Sequence, residues 1–275
     1  MNIVQGLQYY YQKNKWQGVA FFIKARFYQH VTKKIKFANW HYFLDPYRIV
    51  TKRYEETIPL IDDSFIVLGN YAVSKKAKLN SHSIVYSLGV LNETSFDEAI
   101  SEIFGCSVHL FDPSIIATRH IKKLNNPAFK FQQLGIWHED KELTFSTPVY
   151  GGSPSTIFNH PGRQFVAKCE TLPNVMKSLA HPKIDVLKLD VEGAERIILS
   201  HALDNHIYPD QVVVEFERKK GTKSINDFLT FFKEVDELRS RFKALGYGEW
   251  RLPRSSNSFY SIEMVFVKAD ILNDK

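Results

Sequence analysis

The feature of this sequence that most constrains its fold is the stretch of residues 84–113. It begins with a short apolar run that ends at Gly89. Apolar residues then recur within residues 96–104 at the spacing of one helix face. Gly105 follows them, and glycine is common at the position where a helix ends. A second apolar run ends at Asp112. Strand, glycine turn, helix, strand and terminal carboxylate together predict a βαβ nucleotide-binding unit.

The details of this unit indicate the kind of ligand. Asp112 lies about 20 residues after the glycine turn, where the carboxylate of such units accepts hydrogen bonds from ribose hydroxyls. Gly89 allows close approach of the backbone because it has no Cβ. Leu91 and Thr94 stand where a G-x-G-x-x-G turn would have further glycines, which disfavours a pyrophosphate on the helix N-terminus. The pattern therefore favours a nucleoside ligand without phosphates, such as S-adenosylmethionine, over a nicotinamide dinucleotide.

Two blocks of the sequence resemble the FkbM-type methyltransferases. The first block consists of residues 85–89, 95–97 and 108–113. The second, residues 184–195, is similar to that family's K-x-D-x-E-G-A-E signature. The two blocks lie in the family's order and at a compatible distance, and the resemblance extends over residues 81 to about 268.

The resemblance implies an α/β fold with a Rossmann-like class I methyltransferase sheet that has helices on both faces. It implies S-adenosyl-L-methionine as cofactor and O-methyl transfer as reaction, with a hydroxyl of a sugar or glycoconjugate as the expected acceptor. Leu91 departs from the family pattern, which often has a second glycine there. The residues expected to bind the cofactor are Gly89, Asn92, Ser95, Phe96, Asp97, Asp112, Pro113, Gly135, Ile136, Trp137 and Asp190.

Acidic residues end two later predicted strands. Asp190 and Glu192 follow the predicted fourth strand, and Glu215 lies in the predicted fifth. Because ligands of open α/β sheets bind beyond the carboxyl ends of the strands, Asp190 and Glu192 are predicted to act in catalysis or donor positioning. Lys188, inside an apolar run, needs a carboxylate partner if it is buried. The three acids would repel one another unless a proton, Lys188 or a divalent metal intervenes; the metal is the less favoured alternative, so none is predicted.

Residues 150–163 are the most loop-like stretch of the chain, and we expect them to contribute to binding of the acceptor. A long irregular segment inside a compact domain is usually functional. His160 and Arg163 are therefore acceptor-side candidates, and His160 is also a candidate catalytic base. Trp137, directly after the predicted third strand, is a candidate either for stacking on adenine or for packing in the core.

The remaining patterns predict the other elements. Residues 129–136 form a third strand, and Ser95 and Glu98 have the spacing of a capping box at a helix start. A long helix over residues 224–245 is followed by a hairpin of residues 249–252 and 259–268, as expected for the last, antiparallel strand of the methyltransferase class.

Residues 1–80 are predicted to be a mainly helical, aromatic-rich appendage to a methyltransferase domain of residues 81–275. Within the appendage, residues 64–73 form an extended segment with a turn at Gly69 and Asn70. Its aromatic side chains could stack on sugar faces, although such residues more often pack a subdomain against a core. We expect the appendage to influence acceptor choice and not cofactor binding.

Composition limits the partners and the compartment. The net charge of +6 permits attraction to anionic partners or weak peripheral membrane contact, but no nucleic-acid module is recognised, so nucleic acid is not expected. Two cysteines do not form a disulfide framework. The sequence shows neither a signal peptide pattern nor an apolar run of membrane-spanning length, so a cytoplasmic location is expected.

One alternative function remains open on the sequence. A non-catalytic binding or scaffold protein could use a degenerate methyltransferase fold, and Leu91 in the glycine turn weakly supports this. The joint presence of Gly89, Asp112, Asp190 and Glu192 argues against it.

Overall fold

A computed structural model of the chain describes residues 51–148, 152–218, 225–253 and 261–273, apart from residue 53, together with isolated positions among the first fifty residues. The mainly helical appendage predicted for residues 1–80 therefore lies largely outside the described residues. Within the described part, no helix is long and apolar enough to cross a bilayer.

The strands and helices follow one another in the order that the periodicities predict, with additions. The strands are β1 (Phe65–Leu68), β2 (Tyr71–Ser74), β3 (Val85–Leu88), β4 (Val108–Phe111), β5 (Phe129–Gln132), β6 (Gly135–Trp137), β7 (Lys141–Ser146), β8 (Gln164–Thr171), β9 (Val186–Leu189), β10 (Gln211–Glu217), β11 (Tyr247–Arg251) and β12 (Ser261–Lys268). The helices are α1 (Ser95–Phe104), α2 (Ile115–Leu124), α3 (Leu172–Ser178), α4 (Glu195–Asp204), α5 (Ile225–Ala244) and α6 (Ala269–Asn273).

In the described part of the chain, seven strands form the central sheet in the order β11-β12-β10-β9-β3-β4-β5. Strands β3, β4, β5, β9 and β10 pair in parallel, whereas β12 runs antiparallel to both β10 and β11. The order reverses beside β3, so the crevice that forms at such a switch point lies at the ends of β3 and β9. The predicted α/β, Rossmann-like fold class and its final antiparallel hairpin are confirmed.

Both faces of the sheet are covered, because residues of the parallel strands alternate between two hydrophobic cores. On one face, Tyr86 of β3 packs into a core that includes Phe228 and Phe232 of α5 and the buried residues of α4. On the other face, Val85 joins a core that includes Phe96 and Ile100 of α1. Strands buried on both faces read as continuous apolar runs, and these runs are the signal by which the sequence predicts them.

A second, three-stranded sheet in the order β6-β8-β7 is inserted between β5 and β9. The predicted third strand over residues 129–136 is wrong as one element: β5 ends at Gln132, and the chain enters the small sheet at Gly135. Strand β8 was not predicted. Its residues alternate between more and less exposed positions, so its apolar side chains are too scattered to stand out from a loop.

Of the two predictions for the ends of α1, the one for its start is wrong and the one for its end is confirmed. The predicted capping box of Ser95 and Glu98 is wrong, because Thr94 occupies the N-cap position and makes no side-chain cap. Instead, the Thr94 hydroxyl donates to Glu98 Oε1 at 2.5 Å. Gly105 ends the helix with a positive φ of 69°, as predicted.

Strands β1 and β2 form an antiparallel hairpin turned at Gly69, which confirms the extended segment predicted for residues 64–73. The backbone N–H of Ser74 donates to buried Gln211 Oε1 at 2.7 Å, which fixes the end of β2 to β10. Every residue of β2 is buried. The predicted boundary at residues 80 and 81 remains a prediction, but this hairpin packs directly against the central sheet.

Candidate functional site

A cavity lies at the carboxyl ends of β3, β4 and β9, the edge at which open α/β sheets bind ligands. Its lining comes from six separate segments of the chain. Among the predicted cofactor and catalytic residues, those that line it are Gly89, Asn92, Asp112, Pro113, Gly135, Ile136, Trp137, Asp190 and Glu192. The strand ends bring these residues together although they are far apart in sequence.

Asp112 fastens the end of β4 to the glycine turn. Its Oδ2 accepts the backbone N–H groups of Val90 and Leu91 at 2.9 and 2.8 Å, and its Oδ1 accepts that of Ser114 at 2.7 Å. A carboxylate offers about four acceptor positions, so roughly one remains on Oδ1 for a ligand. The predicted contact with two ribose hydroxyls stays a prediction, and the structure adds a role in shaping the turn.

Gly89 and the backbone of Asp190 are in close contact at the centre of the crevice. The φ of Gly89 is +77°, and a Cβ at this position would lie 1.7 Å from the Asp190 carbonyl oxygen. The neighbouring peptides are fixed by hydrogen bonds, since Gly89 N–H donates to Phe111 O and Asp190 N–H donates to Leu88 O, each at 3.0 Å. Glycine is required here for the approach of two strand ends, not only for a ligand.

Leu91 adopts a backbone conformation that favours glycine. Its φ is +43°, in the left-handed region that side-chain-bearing residues rarely adopt. The N–H of Leu91 points to Asp112, which holds the residue in this conformation. Leu91 therefore lines the cavity from a backbone position in which a side chain is strained.

The loop after β9 is held by a buried carboxylate. Glu195 Oε1 accepts the backbone N–H groups of Gly193 and Val191 at 2.9 and 3.2 Å. Burial raises the pKa of Glu195 to about 7, opposed mainly by the charge of Arg196. Glu192, the cavity residue of this loop, has a positive φ of 54°. Glu195 thus sets the backbone that presents Glu192.

A wall of the cavity comes from the small sheet and the loop that follows it. Trp137 of β6 and Phe145 of β7 contribute apolar surface, and Ser153, Pro154 and Thr156 come from the loop. Ser155 ties this loop to the opposite side, because its hydroxyl donates to the Glu192 carbonyl oxygen at 2.8 Å. Part of the predicted acceptor-side stretch 150–163 therefore does border the cavity.

The acids at the strand ends share buried partners. The Tyr71 hydroxyl lies 2.9 Å from Asp190 Oδ2 and 3.4 Å from Glu215 Oε2. Lys188 Nζ donates to Gly89 O at 2.6 Å and lies 3.8 Å from Asp190 Oδ2, which confirms the expected carboxylate partner. Burial raises the pKa of Asp190, and the Lys188 charge is the largest opposing effect.

Several predicted site residues lie outside the cavity lining. Phe96 is buried in the core and packs edge-on against Tyr71, and Ser95 begins α1 beside the Gly69 turn. Asp97 is also buried; its pKa is raised to about 6 by burial and lowered by nearby Lys188. His160 packs edge-on against Phe158 behind the loop after β9. Their site roles remain predictions that this geometry does not support.

The sequence reasoning missed Tyr71, Glu195 and Phe158 as site-supporting residues. Tyr71 lies in β2, outside the matched motifs, and only the packing of the hairpin brings it to Asp190. Glu195 is the last residue of the second motif, so the signal was present but was assigned no role. The Phe158 ring would lie 2.5 Å from a Cβ at residue 193, so it covers Gly193 closely.

The alternative metal site of Asp190, Glu192 and Glu215 finds no support in the part of the chain described by the structure. No group of three or more histidine, cysteine, aspartate or glutamate side chains there is arranged to hold a metal ion. Glu215 also does not line the cavity that Asp190 and Glu192 share.

Comparison with known proteins gives a family match over most of this architecture. The family described as the methyltransferase FkbM domain matches residues 70–248, from the turn of the β1–β2 hairpin to β11. The match therefore includes Tyr71 and every cavity residue named above.

Two curated relatives are also similar. The chain is 27% identical over 203 residues to the human protein named probable methyltransferase-like protein 24, an alignment that covers 70% of this chain and 48% of the relative. With the Rattus norvegicus protein of the same name it is 28% identical over 119 residues, which covers 43% of this chain and 28% of that protein. The chain thus spans about half the length of these relatives or less.

Two solved structures are also similar to the chain, at low sequence identity. Aeropyrum pernix fibrillarin, solved with S-adenosyl-L-methionine bound, has a TM-score of 0.40 and 10% identity, covering 71% of this chain and 70% of that chain. An rRNA methylase from Streptococcus thermophilus has a TM-score of 0.38 and 12% identity, covering 70% of this chain and 91% of that chain.

Proposed function

The chain belongs to the FkbM methyltransferase family, and on that premise we propose that it is an S-adenosylmethionine-dependent O-methyltransferase whose acceptor is a hydroxyl of a sugar or glycoconjugate. The observation that carries the cofactor assignment is the charge of the cavity. Among the described residues that line it, the ionisable side chains are acids: Glu93, Asp112, Asp190 and Glu192.

This set of side chains suits a cationic ligand. S-adenosylmethionine carries a sulfonium and an ammonium group, and acids favour such charges. A dinucleotide would instead bring phosphates against four carboxylates, without a lysine or arginine among the described lining residues to offset them. The absence of the glycine-rich pyrophosphate turn agrees with this electrostatic argument.

The residues that would hold the cofactor follow from their positions. Asp112 has an acceptor position left for a ribose hydroxyl, and Ile136 and Trp137 offer apolar surface for the adenine. Asp190 and Glu192 would face the ammonium group or the acceptor. When bound, S-adenosylmethionine supplies a methyl group on a positively charged sulfur that leaves as a neutral thioether.

The chain itself supplies alignment and a proton acceptor. Donor and acceptor must be held about 3 Å apart in line, and such positioning accounts for much of the acceleration of a displacement reaction. The acceptor hydroxyl loses its proton, which a carboxylate at the cavity can take. Asp190 and Glu192 line the cavity and are the candidates for this role, whereas His160 lies outside the lining.

The first experiment is a thermal shift with S-adenosylhomocysteine, with NADH and ADP as controls. At a ligand concentration of about 100 times Kd, binding adds about 2.7 kcal/mol, equivalent to roughly 5–10 °C in a chain of this size. A shift with the homocysteine compound alone supports the proposal. No shift with it, or a larger one with NADH, contradicts it.

A second experiment tests the chemistry with radiolabelled S-adenosylmethionine and a panel of neutral sugars and glycoconjugates. Methyl ethers withstand mild alkali, whereas methyl esters are hydrolysed, so alkali-stable label on an acceptor that carries hydroxyls but no amino group identifies transfer to a hydroxyl. Label that is lost in alkali would contradict O-methyl transfer to a hydroxyl. Cofactor binding without transfer to any acceptor would favour the scaffold alternative. The cytoplasmic location and the absence of nucleic-acid partners remain predictions from the sequence.

A further inference from the structure

The Tyr71 hydroxyl lies between two carboxylates and cannot satisfy both as a donor. It is 2.9 Å from Asp190 Oδ2 and 3.4 Å from Glu215 Oε2. A phenol carries one proton, so it donates one hydrogen bond and must accept the other. An ionised carboxylate has no proton to give. The contact that Tyr71 accepts is therefore favourable only if the carboxyl group on that side is protonated.

The surroundings decide which carboxyl group is protonated. The side chain of Asp190 is 38% exposed, lies nearer the hydroxyl, and has Lys188 Nζ at 3.8 Å. Glu215 lies near the carboxyl end of β10, directly opposite another acid, Glu263 of β12. Burial raises the pKa of Glu215, and the charges of Asp190 and Glu192 raise it further, whereas a hydrogen bond with Ser261 and the charge of Lys188 oppose these effects.

We propose that Tyr71 is a positioning residue that donates its hydroxyl proton to an ionised Asp190 and accepts a hydrogen bond from a protonated Glu215. The ionised member of the pair is then the one that lines the cavity. The inference concerns protonation within the protein and does not need the cofactor; it rests on the proposed function only for what the ionised Asp190 does there.

The other charged groups around the pair fit this assignment. Glu192 in the loop after β9 and Glu93 in the turn after β3 both raise the pKa of Asp190 by their charge. Lys188 and the Tyr71 hydrogen bond oppose them, and Asp97 of α1 competes for the Lys188 charge. Acids outnumber the cation around Asp190, so the Tyr71 hydrogen bond is an important contribution that favours the ionised form.

The arrangement also gives the β1–β2 hairpin a function. The Tyr71 ring lies under Lys188 Nζ at 5.2 Å and packs edge-on against Phe96, so its orientation is fixed from both sides. On this proposal, Tyr71 of β2 controls the charge of Asp190, which follows β9.

The test is a carboxyl ¹³C NMR titration of the full chain labelled at aspartate and glutamate side chains. Asp190→Asn and Glu215→Gln assign the two signals by their disappearance. We expect Glu215 to titrate at higher pH than Asp190, and Tyr71→Phe to raise the Asp190 midpoint by about one to two pH units, the size expected for loss of a hydrogen bond to a charged group. Phenylalanine keeps the ring against Lys188 and Phe96.

Tyr86→Phe is the matched control. Tyr86 is also a buried tyrosine, and its hydroxyl is hydrogen-bonded to His181 Nδ1 at 2.8 Å, away from the cavity. We expect this variant to leave the Asp190 midpoint unchanged. An unchanged midpoint in Tyr71→Phe, an equal shift in both variants, or a Glu215 signal that titrates below that of Asp190 would each overturn the proposal.

Glu215→Gln supplies a second, independent measurement. The glutamine amide replaces a protonated carboxyl as donor to Tyr71, so the Asp190 midpoint should stay within about half a pH unit, since on this assignment a neutral group replaces a neutral group. A drop of more than one unit would show that Glu215 is charged in the wild type and would overturn the assignment. S-adenosylhomocysteine binding is measured separately: if the wild type does not bind it, the proposed function fails while the titrations still decide the role of Tyr71.

Discussion

The Cα of Gly89 lies directly against the carbonyl oxygen of Asp190, and a Cβ at residue 89 would lie only 1.7 Å from that atom. This contact joins the ends of β3 and β9, the two strands that flank the switch point of the sheet. Gly89 therefore contacts the backbone of the neighbouring strand end, and this contact sets the backbone geometry of the cavity.

Gly89→Ala is expected to destabilise the fold by about 3 kcal/mol or more, because the backbone of two strand ends must separate to admit a methyl group. Urea denaturation measures the loss. Gly246→Ala is the control: its φ is +81°, but no atom lies within 4 Å of the added Cβ, so only the conformational cost of about 1–2 kcal/mol applies. Equal losses in the two variants would contradict the importance of the close contact.

Asp112→Asn is expected to weaken S-adenosylhomocysteine binding about tenfold to a hundredfold, measured by calorimetry, because a hydrogen bond to a charged group contributes about 1.5–3 kcal/mol. It should also lower the melting temperature, since Oδ2 accepts two backbone N–H groups of the turn. Asp185→Asn is the matched control. Asp185 also accepts a backbone N–H, that of Ile84 at 2.7 Å, but at the opposite end of β3. Equal affinity losses in the two variants would contradict the ligand role of Asp112.

Leu91→Gly is expected to be more stable than Leu91→Ala by about 1 kcal/mol, because only glycine adopts a φ of +43° without strain. Both variants lack the leucine side chain, so the difference in their stability reports the backbone strain at residue 91. At exposed Ile103 in α1 the order should reverse, with alanine more stable than glycine by about 1 kcal/mol. Urea midpoints measure both pairs, and the same order at both positions would refute the assignment of strain.

Glu195 is expected to make stability depend on pH. Its pKa of about 7 in the folded chain exceeds the ordinary value of 4.5, so the folded state binds more protons than the unfolded state between these values. The free energy of unfolding should therefore fall as pH rises from about 4.5 to about 7, by up to about 3 kcal/mol from this residue. Glu195→Gln keeps an oxygen to accept the N–H groups of Val191 and Gly193.

The comparison of wild type and Glu195→Gln isolates this residue from other buried acids such as Asp97. The variant should match the wild type near pH 5 and be more stable than it near pH 8, as measured by urea denaturation. A constant difference at both pH values would mean that Glu195 does not titrate in this range.

Chelation is expected to leave the protein unaffected. Lys188 and, on our proposal, a proton on Glu215 already reduce the repulsion among the strand-end acids. EDTA should leave S-adenosylhomocysteine affinity and methyl transfer unchanged, and added Mg²⁺ should not raise them. Loss of turnover in EDTA with recovery in Mg²⁺ would restore the metal alternative.

The elements predicted well are those whose signal is local. Strands buried on both faces and amphipathic helices such as α1 follow from periodicity, and Gly105 follows from its conformational freedom. The predictions failed where the signal was weak or depended on neighbours. The strand predicted over residues 129–136 divides between two sheets. Strand β8 pairs with β6 and β7, and no local sequence pattern predicts this small sheet.

For the site, the sequence by itself determined the chemical groups and the strand ends that carry them. Gly89, Asp112, Asp190 and Glu192 were identified because the carboxyl ends of parallel strands meet at one edge, whatever the rest of the chain does. Only the tertiary structure decided how these groups are held and charged. Tyr71 approaches Asp190 across 119 positions of the chain, and Lys188 approaches Gly89 across 99. Such contacts depend on side-chain packing between distant segments, and a sequence pattern records only the neighbours of a residue along the chain.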